Sequence, residues 1–351
     1  MCLEGPNHPP IDYVVDDYQH GLIDRRQFLA RATALLGLTA ATALVEACTP
    51  QAAVPQPTVA PTSAPKAAAP TEAPKAAAPT TAPTAAPTSA PTTAPTAAPK
   101  SASGPAVPPY GTVPADAADI VTETVTFPSE GGAQIQGYLA RPKSATTPQP
   151  AVIVVHENRG LTPHEQDMAR RYAKAGFVAL AVDLLSRQGG SEKFPTPQEK
   201  TAAIGQTKDD ETVADMAAAV KYLKGTDWVK GSKVGITGYC WGGGRTNLAA
   251  VRIPDIAAAV PYYGPVPQNL DEVKNMQAAL LAFYGGTDQR INAGIPGFEE
   301  KLKQYNKTYE IKIYDGAGHA FNNDTGPNFN AAAAADAWQR AVTWFNKYLR
   351  S

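Results

Sequence analysis

Cysteine is scarce in this chain of 351 residues, which contains only Cys2, Cys48 and Cys240. A small exported domain stapled by disulfides needs an even and larger set, so a disulfide framework is not expected. Cys2 and Cys48 lie close to the N-terminus, which leaves Cys240 alone in the rest of the chain. An unpaired cysteine is either a small buried hydrophobic residue or a reactive thiol, and its neighbours must decide between the two.

Excess charge and cofactor motifs are also absent. The chain has 31 Lys and Arg against 32 Asp and Glu, for a net charge of −1, and no basic block in its globular part, so nucleic acid is not an expected partner. His156-Glu157 lacks the second histidine of a zinc protease motif, and no metal is expected. No Gly-x-Gly-x-x-Gly fingerprint is present either. These absences argue against nucleic acid, a metal ion and a pyridine nucleotide as partners.

No apolar run reaches the roughly 20 residues that a membrane-spanning helix needs. The run from Ala32 to Val45 follows Arg25-Arg26 and ends just before Cys48, and this arrangement resembles a twin-arginine export signal with a lipoprotein cleavage site. The resemblance implies that residues 1–48 are an export signal and that Cys48 carries the lipid. Glu46 departs from the usual small or apolar residue, so ordinary cleavage and an uncleaved signal anchor stay open. We expect an exported monomer anchored to the outer face of the cell membrane.

Residues 49–110 are almost wholly proline, alanine and threonine, and the heptapeptide Ala64–Pro70 recurs as Ala73–Pro79. Frequent proline removes backbone donors and favours an extended chain, so the composition predicts a semi-stiff disordered linker. The remaining residues, 111–351, are enough for one large core, and we predict a single domain there.

That domain alternates strand-like and helix-like segments. An alternating hairpin is followed by short, continuous apolar runs, and the predicted strands are 121–127, 135–140, 151–155, 177–182, 234–237, 256–260, 279–283 and 310–314. Helical periodicity covers 164–175, 210–223, 243–250, 296–305 and 331–349. Such alternation predicts an α/β fold with a mostly parallel central sheet of about eight strands flanked by helices. Ligands then bind at the carboxyl ends of the strands.

Cys240 lies in the segment Gly238-Tyr239-Cys240-Trp241-Gly242, between a predicted strand and a predicted helix. This is the pattern of a nucleophile elbow, in which the residues two before and two after the nucleophile must be very small. A thiol at a helix N-terminus is more easily ionised, and the N–H of Trp241 can donate to an oxyanion. The alternative is a buried thiol in a glycine-rich turn.

A nucleophile of this kind needs a histidine and a carboxylate that follow it in the chain. His319 is the only histidine after Cys240, and it comes just after the last predicted strand. Asp288, in Gly285-Gly286-Thr287-Asp288, follows the preceding strand and can orient the imidazole. Asp315 is the rival, although its Asp-Gly pair is typical of a turn.

Together the cysteine elbow, Gly-Gly-Thr-Asp, Gly-x-Gly-His-x-Phe and His156-Glu157 resemble the dienelactone hydrolase family of α/β-hydrolases over nearly all of Val121 to Leu349. The resemblance implies that Glu157 helps to deprotonate the thiol and that the N–H of Asn158 completes the oxyanion hole. It also implies that Arg187 binds a substrate carboxylate. The family's second arginine, after the His-x-Phe segment, is replaced by Asn322-Asn323, which puts the substrate in doubt.

These patterns predict a carboxylic ester hydrolase that cleaves a small ester or lactone through Cys240, His319 and Asp288, with a thioester intermediate and without a cofactor. One alternative is a non-catalytic surface lipoprotein that uses the fold as a binding module. Another is a general carboxylesterase of neutral esters, or an esterase acting on a surface polysaccharide or an antibiotic. The polar region from Gly189 to Lys208 is the candidate lid.

Overall fold

The structure is a computed structural model that describes Phe28 and residues 107–351. One sheet of eight strands, in the order β1-β2-β4-β3-β5-β6-β7-β8, forms its centre. The strands are β1 (Ile120–Pro128), β2 (Gln134–Pro142), β3 (Ala151–Val155), β4 (Val178–Val182), β5 (Val234–Tyr239), β6 (Ile256–Tyr262), β7 (Ala279–Gly285) and β8 (Tyr309–Tyr314). The hairpin β1–β2 is antiparallel and joins β4 antiparallel, whereas the six strands from β3 to β8 pair in parallel.

Seven α-helices of residues 107–351 cover the two faces of this sheet. They are α1 (Pro163–Lys174), α2 (Pro197–Ile204), α3 (Asp209–Gly225), α4 (Trp241–Arg252), α5 (Gln289–Asn292), α6 (Ile295–Gln304) and α7 (Ala331–Leu349). Short 3₁₀ turns occur at Glu130–Gly132, Ser186–Gln188, Ser191–Lys193 and Leu270–Asn275. Helices α1 and α7 pack on one face of the sheet, and α3, α4 and α6 pack on the other.

The central strands are buried on both faces because helices cover each side. Every residue of β3, β4, β5 and β7 is buried, which explains why these segments appear in the sequence as continuous apolar runs. Strand β1, at the edge of the sheet, instead mixes buried and exposed positions. The predicted α/β-hydrolase fold with eight mostly parallel strands is confirmed.

Two details add to the expectation. Helix α2 lies inside the candidate lid, residues 189–208, and Thr196 and Glu199 form a capping box at its start. In addition, residues 107–110 pack on the domain, since the Trp338 indole donates to the Pro108 carbonyl at 2.7 Å. The ordered domain therefore includes four residues that the sequence assigned to the linker.

The remaining predictions about the N-terminal region, including the export signal and the lipidation of Cys48, fall on residues outside the described part of the chain. Within the described part, no helix is long and apolar enough to span a bilayer.

Candidate active site

Cys240 lies between β5 and α4, in the turn predicted from its glycine neighbours. It has φ 55° and ψ −118°, a conformation that a residue with a side chain rarely adopts, and it forms the N-cap of α4. The positive end of the helix therefore lies at the thiol, and the first N–H groups of α4, beginning with Trp241, have no partner within the helix. Strain of this kind is kept where the direction of a side chain matters.

Two glycines make this turn possible. A Cβ atom on Gly238 would lie 2.3 Å from the carbonyl oxygen of Gly242, and one on Gly242 would lie 2.3 Å from the carbonyl oxygen of His156. No side chain fits at such distances, because these contacts are with backbone atoms that cannot move aside. The prediction that both positions must be glycine for steric reasons is therefore confirmed.

His319 and Asp288 form a close pair on two loops that follow β8 and β7. His319 Nδ1 lies 2.6 Å from Asp288 Oδ2, and both side chains are almost fully buried. The loops touch through their glycines, since a Cβ on Gly285 would lie 2.5 Å from the carbonyl oxygen of Gly318. Thr287 fixes the same contact by donating from N and Oγ1 to the Ala317 carbonyl. The geometry thus pairs His319 with Asp288 and not with the rival Asp315.

The protonated form of His319 is stabilised by this environment. Burial opposes the positive charge, but the negative form of Cys240 and the hydrogen bond to Asp288 outweigh it and raise the pKa of His319 to about 10. The folded environment therefore favours a positively charged imidazole beside Cys240.

Glu157 and Asn158 follow β3 and are held by the side chain of His156. His156 is fully buried; its Nε2 accepts a hydrogen bond from the Leu184 N–H at 3.2 Å, so its Nδ1 carries the proton and donates to the Glu157 carbonyl at 2.7 Å. The His156 ring also stacks on Trp241, with centroids 5.3 Å apart. His156 therefore braces the turn that presents Glu157 and Asn158, a contribution that its sequence context did not indicate.

The carboxylate of Glu157 is held by two uncharged groups. Oε1 accepts from the Tyr263 hydroxyl at 3.3 Å, and Oε2 accepts from the Asn323 amide at 3.0 Å. Desolvation, followed by the nearby Glu165 carboxylate, raises the pKa of Glu157 above its ordinary value, although His164, Asn323 and His319 act in the opposite direction. A carboxylate with a raised pKa is a stronger base than an ordinary one.

Four of the predicted site residues line one cavity of about 390 Å³, and Asp288 lies behind His319. The cavity suits a small ligand rather than a polymer. Its lining consists of Glu157, Asn158, Arg159, Thr162, Pro163, His164, Glu165, Cys240, His319, Ala320, Asn323, Thr325, Gly326, Pro327 and Asn328. Besides α1, the loop that precedes α7 contributes to this lining. The candidate lid, residues 189–208, contributes none of these residues but contacts Asn158, whose carbonyl accepts from Thr201 Oγ1 at 3.0 Å.

Comparison with known proteins gives a consistent picture. The model of the "Dienelactone hydrolase family" matches residues 135–349. The chain belongs to the dienelactone hydrolase family. A "Putative carboxymethylenebutenolidase" of Methylorubrum extorquens is 35% identical over 68% of this chain and 84% of its own length. A protein of the same description from Escherichia coli K12 is 34% identical over 70% of this chain and 94% of its own.

Solved structures agree with the fold. The crystal structure of a "Putative Dienelactone Hydrolase" from Klebsiella pneumoniae superposes with a TM-score of 0.61 at 32% identity, covering 65% of this chain and 99% of that one. The prediction of an enzyme similar to dienelactone hydrolases is therefore confirmed at the level of the family.

Arg187 lies outside the cavity, against the expectation drawn from the dienelactone hydrolase family. Its Nε and Nη2 donate to the buried carboxylate of Asp215 on α3, and Nη2 also donates to the Glu130 carbonyl at 3.1 Å. Because Asp215 would otherwise be an unpaired buried charge, it holds the guanidinium at the hairpin β1–β2. Among the described residues, the arginine that lines the cavity is instead Arg159, which sequence reasoning missed.

His164 is a second histidine on the cavity wall, and the sequence did not indicate it. It is 3% exposed and its Nδ1 lies 3.4 Å from Asp324 Oδ1. Burial opposes its protonation, but Asp324 and the carboxylates of Glu165 and Glu157 outweigh burial and raise the pKa of His164. Among the described residues, no three His, Cys, Asp or Glu side chains cluster in a way that could hold a metal ion.

Proposed function

We propose that the protein hydrolyses a small ester or lactone with Cys240 as nucleophile. In the first half-reaction the thiolate attacks the carbonyl carbon, the ester C–O bond breaks and a thioester forms on Cys240. His319 gives a proton to the leaving oxygen. In the second half-reaction His319 takes a proton from water, which attacks the thioester. The C–S bond breaks, the acid leaves and Cys240 is released as the thiolate.

Three further roles complete the proposal. Glu157 accepts a proton from the Cys240 thiol and returns it to the thiolate after the acid has left, a role that its raised pKa and its place in the same cavity support. The N–H groups of Asn158 and Trp241 bind the oxyanion, and the position of Trp241 as the first residue of α4 supports this role. Asp288 keeps the His319 imidazole in one orientation and tautomer.

The observation that carries the proposal is the meeting of three features in one cavity: a cysteine in a strained elbow, the helix N-terminus beneath it and a buried histidine–carboxylate pair. A cysteine kept only for packing would require neither the helix N-terminus nor the histidine–carboxylate pair. Membership in the dienelactone hydrolase family supports the same chemistry.

The first test is turnover by the purified full chain on matched pairs of lactones and aryl esters, one of each pair bearing a carboxylate. Cys240→Ala is assayed beside the wild type, with circular dichroism to show that both are folded. We expect the variant to lose activity toward every substrate that the wild type cleaves. Unchanged turnover in Cys240→Ala would contradict the mechanism.

Thiol alkylation distinguishes an enzyme from a binding module built on the same fold. We expect Cys240 of the wild type to react with iodoacetamide at least about tenfold faster than a free thiol at pH 7, and His319→Ala to lose this advantage. Slow, unchanged alkylation in both proteins, together with no turnover, would favour the binding module.

The cavity also favours a neutral ester or lactone as a second candidate substrate class. Arg187 is held by Asp215, and the carboxylate of Glu157 is bonded to the neutral amide of Asn323. Selective turnover of the carboxylate-bearing member of each pair would instead indicate an acidic substrate, with Arg159 as the cation on the cavity wall.

Export and lipidation complete the proposal for the N-terminus, where we propose that Cys48 is lipidated and that the protein is an exported monomer. Expression in a bacterial host, followed by membrane fractionation, tests this. Wild type is expected in the membrane fraction with an acylated Cys48 by mass spectrometry, and Cys48→Ala is expected to lose the acyl group. An unprocessed wild type would contradict lipidation.

A further inference from the structure

Tyr263 is a buried residue of the site for which the proposed mechanism has no role. It is the first residue after β6, is fully buried and does not line the cavity. Its φ of 37° falls in the left-handed region, which a bulky residue rarely occupies. Since an unfavourable backbone conformation persists only where its surroundings impose it, the direction of this side chain requires an explanation.

Contacts on both sides fix the backbone of Tyr263. Its N–H donates to the Phe283 carbonyl of β7 at 2.7 Å. The next residue, Gly264, lies against the first turn of α4, where a Cβ would come within 2.2 Å of the Gly243 carbonyl carbon. The chain therefore turns sharply directly after β6, where it lies against the start of α4. This turn directs the phenol ring toward the loops that carry Glu157 and His319.

The hydroxyl of Tyr263 contacts one of the two proton-handling groups of the proposed mechanism. It donates to Glu157 Oε1 at 3.3 Å, while the Asn323 amide donates to Oε2 at 3.0 Å. Each carboxylate oxygen thus has one neutral donor. Such donors hold the carboxylate in one position and stabilise its ionised form without a permanent positive charge.

The ring of Tyr263 contacts His319, the second proton-handling group of the proposed mechanism. Its centroid lies 5.1 Å from that of His319 with the planes at 60°, an edge-to-face arrangement. Phe321 packs on the same ring at 5.3 Å and keeps it in place. Because Asp288 holds Nδ1 of His319, an aromatic ring against the imidazole restricts the remaining rotation of the histidine.

We propose that Tyr263 is a positioning residue that ties together the two proton-handling groups, holding the Glu157 carboxylate through its hydroxyl and the His319 imidazole through its ring. The proposal rests on the proposed function for the meaning of these two groups in turnover. The two contacts can be separated by mutation: Tyr263→Phe removes only the hydroxyl, and Tyr263→Leu removes the ring as well.

The charges around Glu157 determine the sign of the expected effect. Glu165 and His164 face it from α1, and His319 and Asn323 face it from the loop after β8. All of these remain in Tyr263→Phe, which removes a single donor to the ionised carboxylate. We therefore expect the pKa of Glu157 to rise further, by about 0.5 to 1 pH unit.

The test is a carbon-13 NMR titration of the full chain labelled at the glutamate carboxyl carbons, with the Glu157 signal assigned by its loss in Glu157→Gln. Tyr262→Phe is the matched control, because it removes a buried hydroxyl from the adjacent residue, whose ring packs on Phe283. We expect the Glu157 titration to move upward in Tyr263→Phe and to stay in place in Tyr262→Phe. An unmoved Glu157 signal in Tyr263→Phe, or an equal shift in the control, would overturn the proposal.

The pH dependence of ester hydrolysis provides a second test. The acid limb of the kcat/KM profile should move upward with the Glu157 titration in Tyr263→Phe, with KM changed less than about twofold because the hydroxyl lies outside the cavity lining. Tyr263→Leu should also alter the His319 ring signals and lower kcat. If the wild type cleaves no ester, the proposed function fails, whereas the NMR titration still tests the role of Tyr263.

Discussion

Two buried histidines line the same cavity, and each has a carboxylate beside it. His319 Nδ1 lies 2.6 Å from Asp288 Oδ2, whereas His164 Nδ1 lies 3.4 Å from Asp324 Oδ1. Their surroundings differ more than these distances do. His319 interacts with Cys240, while His164 faces the carboxylates of Glu165 on α1 and of Glu157 in the turn after β3. A histidine–carboxylate pair in a cavity is therefore insufficient to mark a catalytic group, and the proposal for His319 depends on its contact with Cys240, the proposed nucleophile.

The partner of each carboxylate also differs. Asp288 accepts from His319 and, more weakly, from the N–H of Ile291. Asp324 is shared, since its Oδ2 accepts from Arg171 at 2.6 Å, and Arg171 in turn binds Asp167. The guanidinium of Arg171 lies over the ring of Tyr110, 4.4 Å from its centroid. The pair around His164 thus belongs to an ionic network that fastens the start of the domain to α1.

The largest effect on activity is expected from breaking the pair at His319. Asp288→Asn keeps the shape of the side chain but lets the imidazole adopt the wrong tautomer, so kcat should fall by roughly 10³ to 10⁴, as in triads of the same design. The measurement is steady-state hydrolysis of the best ester from the substrate panel.

Asp324→Asn is the matched control for this measurement, because it makes the same change at the other histidine. We expect kcat to fall less than about tenfold, since Asp324 does not contact the nucleophile. Equal losses in the two variants would mean that both pairs take part in turnover, and the distinction drawn between them would be lost.

We expect the two variants to rank in the opposite order when the loss in the free energy of unfolding is compared instead of the loss of kcat. Asp324→Asn leaves Arg171, which is almost fully buried, with one carboxylate fewer, and we expect a loss of about 2–3 kcal/mol in the free energy of unfolding. Asp288→Asn should cost less, because His319 can become neutral. Urea denaturation at pH 7 measures both, and a smaller loss in Asp324→Asn than in Asp288→Asn would contradict the structural role of the network.

The same comparison shows what the sequence could predict. The elbow at Cys240 follows from local steric limits on Gly238 and Gly242, so it was predictable. The pairing of His319 with Asp288 was also predictable, because each residue follows the carboxyl end of a neighbouring strand. The bonds of Glu157 to Tyr263 and Asn323 join residues 106 and 166 positions apart. Which loop side chains meet depends on how the strand ends and loops pack, and the pattern of apolar residues does not determine this.

Arg187 shows the limit of a family resemblance. Its place in the loop after β4 was predictable, but the direction of its side chain depends on Asp215, a buried carboxylate on a different helix. In the same way, Arg159 and His164 reach the cavity through the turn after β3 and the first turn of α1, and neither residue has a sequence signature.

The two pairs should also respond to pH at opposite ends of the scale. Burial disfavours the charge of Asp324, but the hydrogen bonds from His164 and Arg171 prevail and lower its pKa to about 2. A lowered pKa contributes stability above the ordinary value near 4 that is lost as pH falls toward 2. The stability difference between wild type and Asp324→Asn should therefore shrink between pH 4 and pH 2. A difference that is constant over this range would show that Asp324 is not held by its cations.

His319 has a raised pKa, about 10, so the sign is opposite: its contribution is fully present below about pH 6.5 and is lost as pH rises through 10. Because Cys240 is a principal cause of that shift, Cys240→Ala should flatten the loss of stability between pH 7 and pH 10. Urea midpoints of the two proteins measured across this range provide the check. Parallel curves would mean that Cys240 and His319 do not interact in the folded protein.

The smallest effect is expected at Arg187, where the structure and the family resemblance disagree. Because its guanidinium is bonded to Asp215 and lies outside the cavity, Arg187→Gln should change KM for a carboxylate-bearing lactone less than about twofold. Arg159→Gln is the companion variant, and a rise in KM confined to the acidic member of a substrate pair would identify Arg159 as the group that contacts the carboxylate. Assays are run well below the melting temperature, since removing Arg187 leaves Asp215 buried without its cation. A selective rise of tenfold or more in Arg187→Gln alone would mean that Arg187 leaves Asp215 when substrate binds, and the family's way of binding an acidic substrate would then apply to this chain.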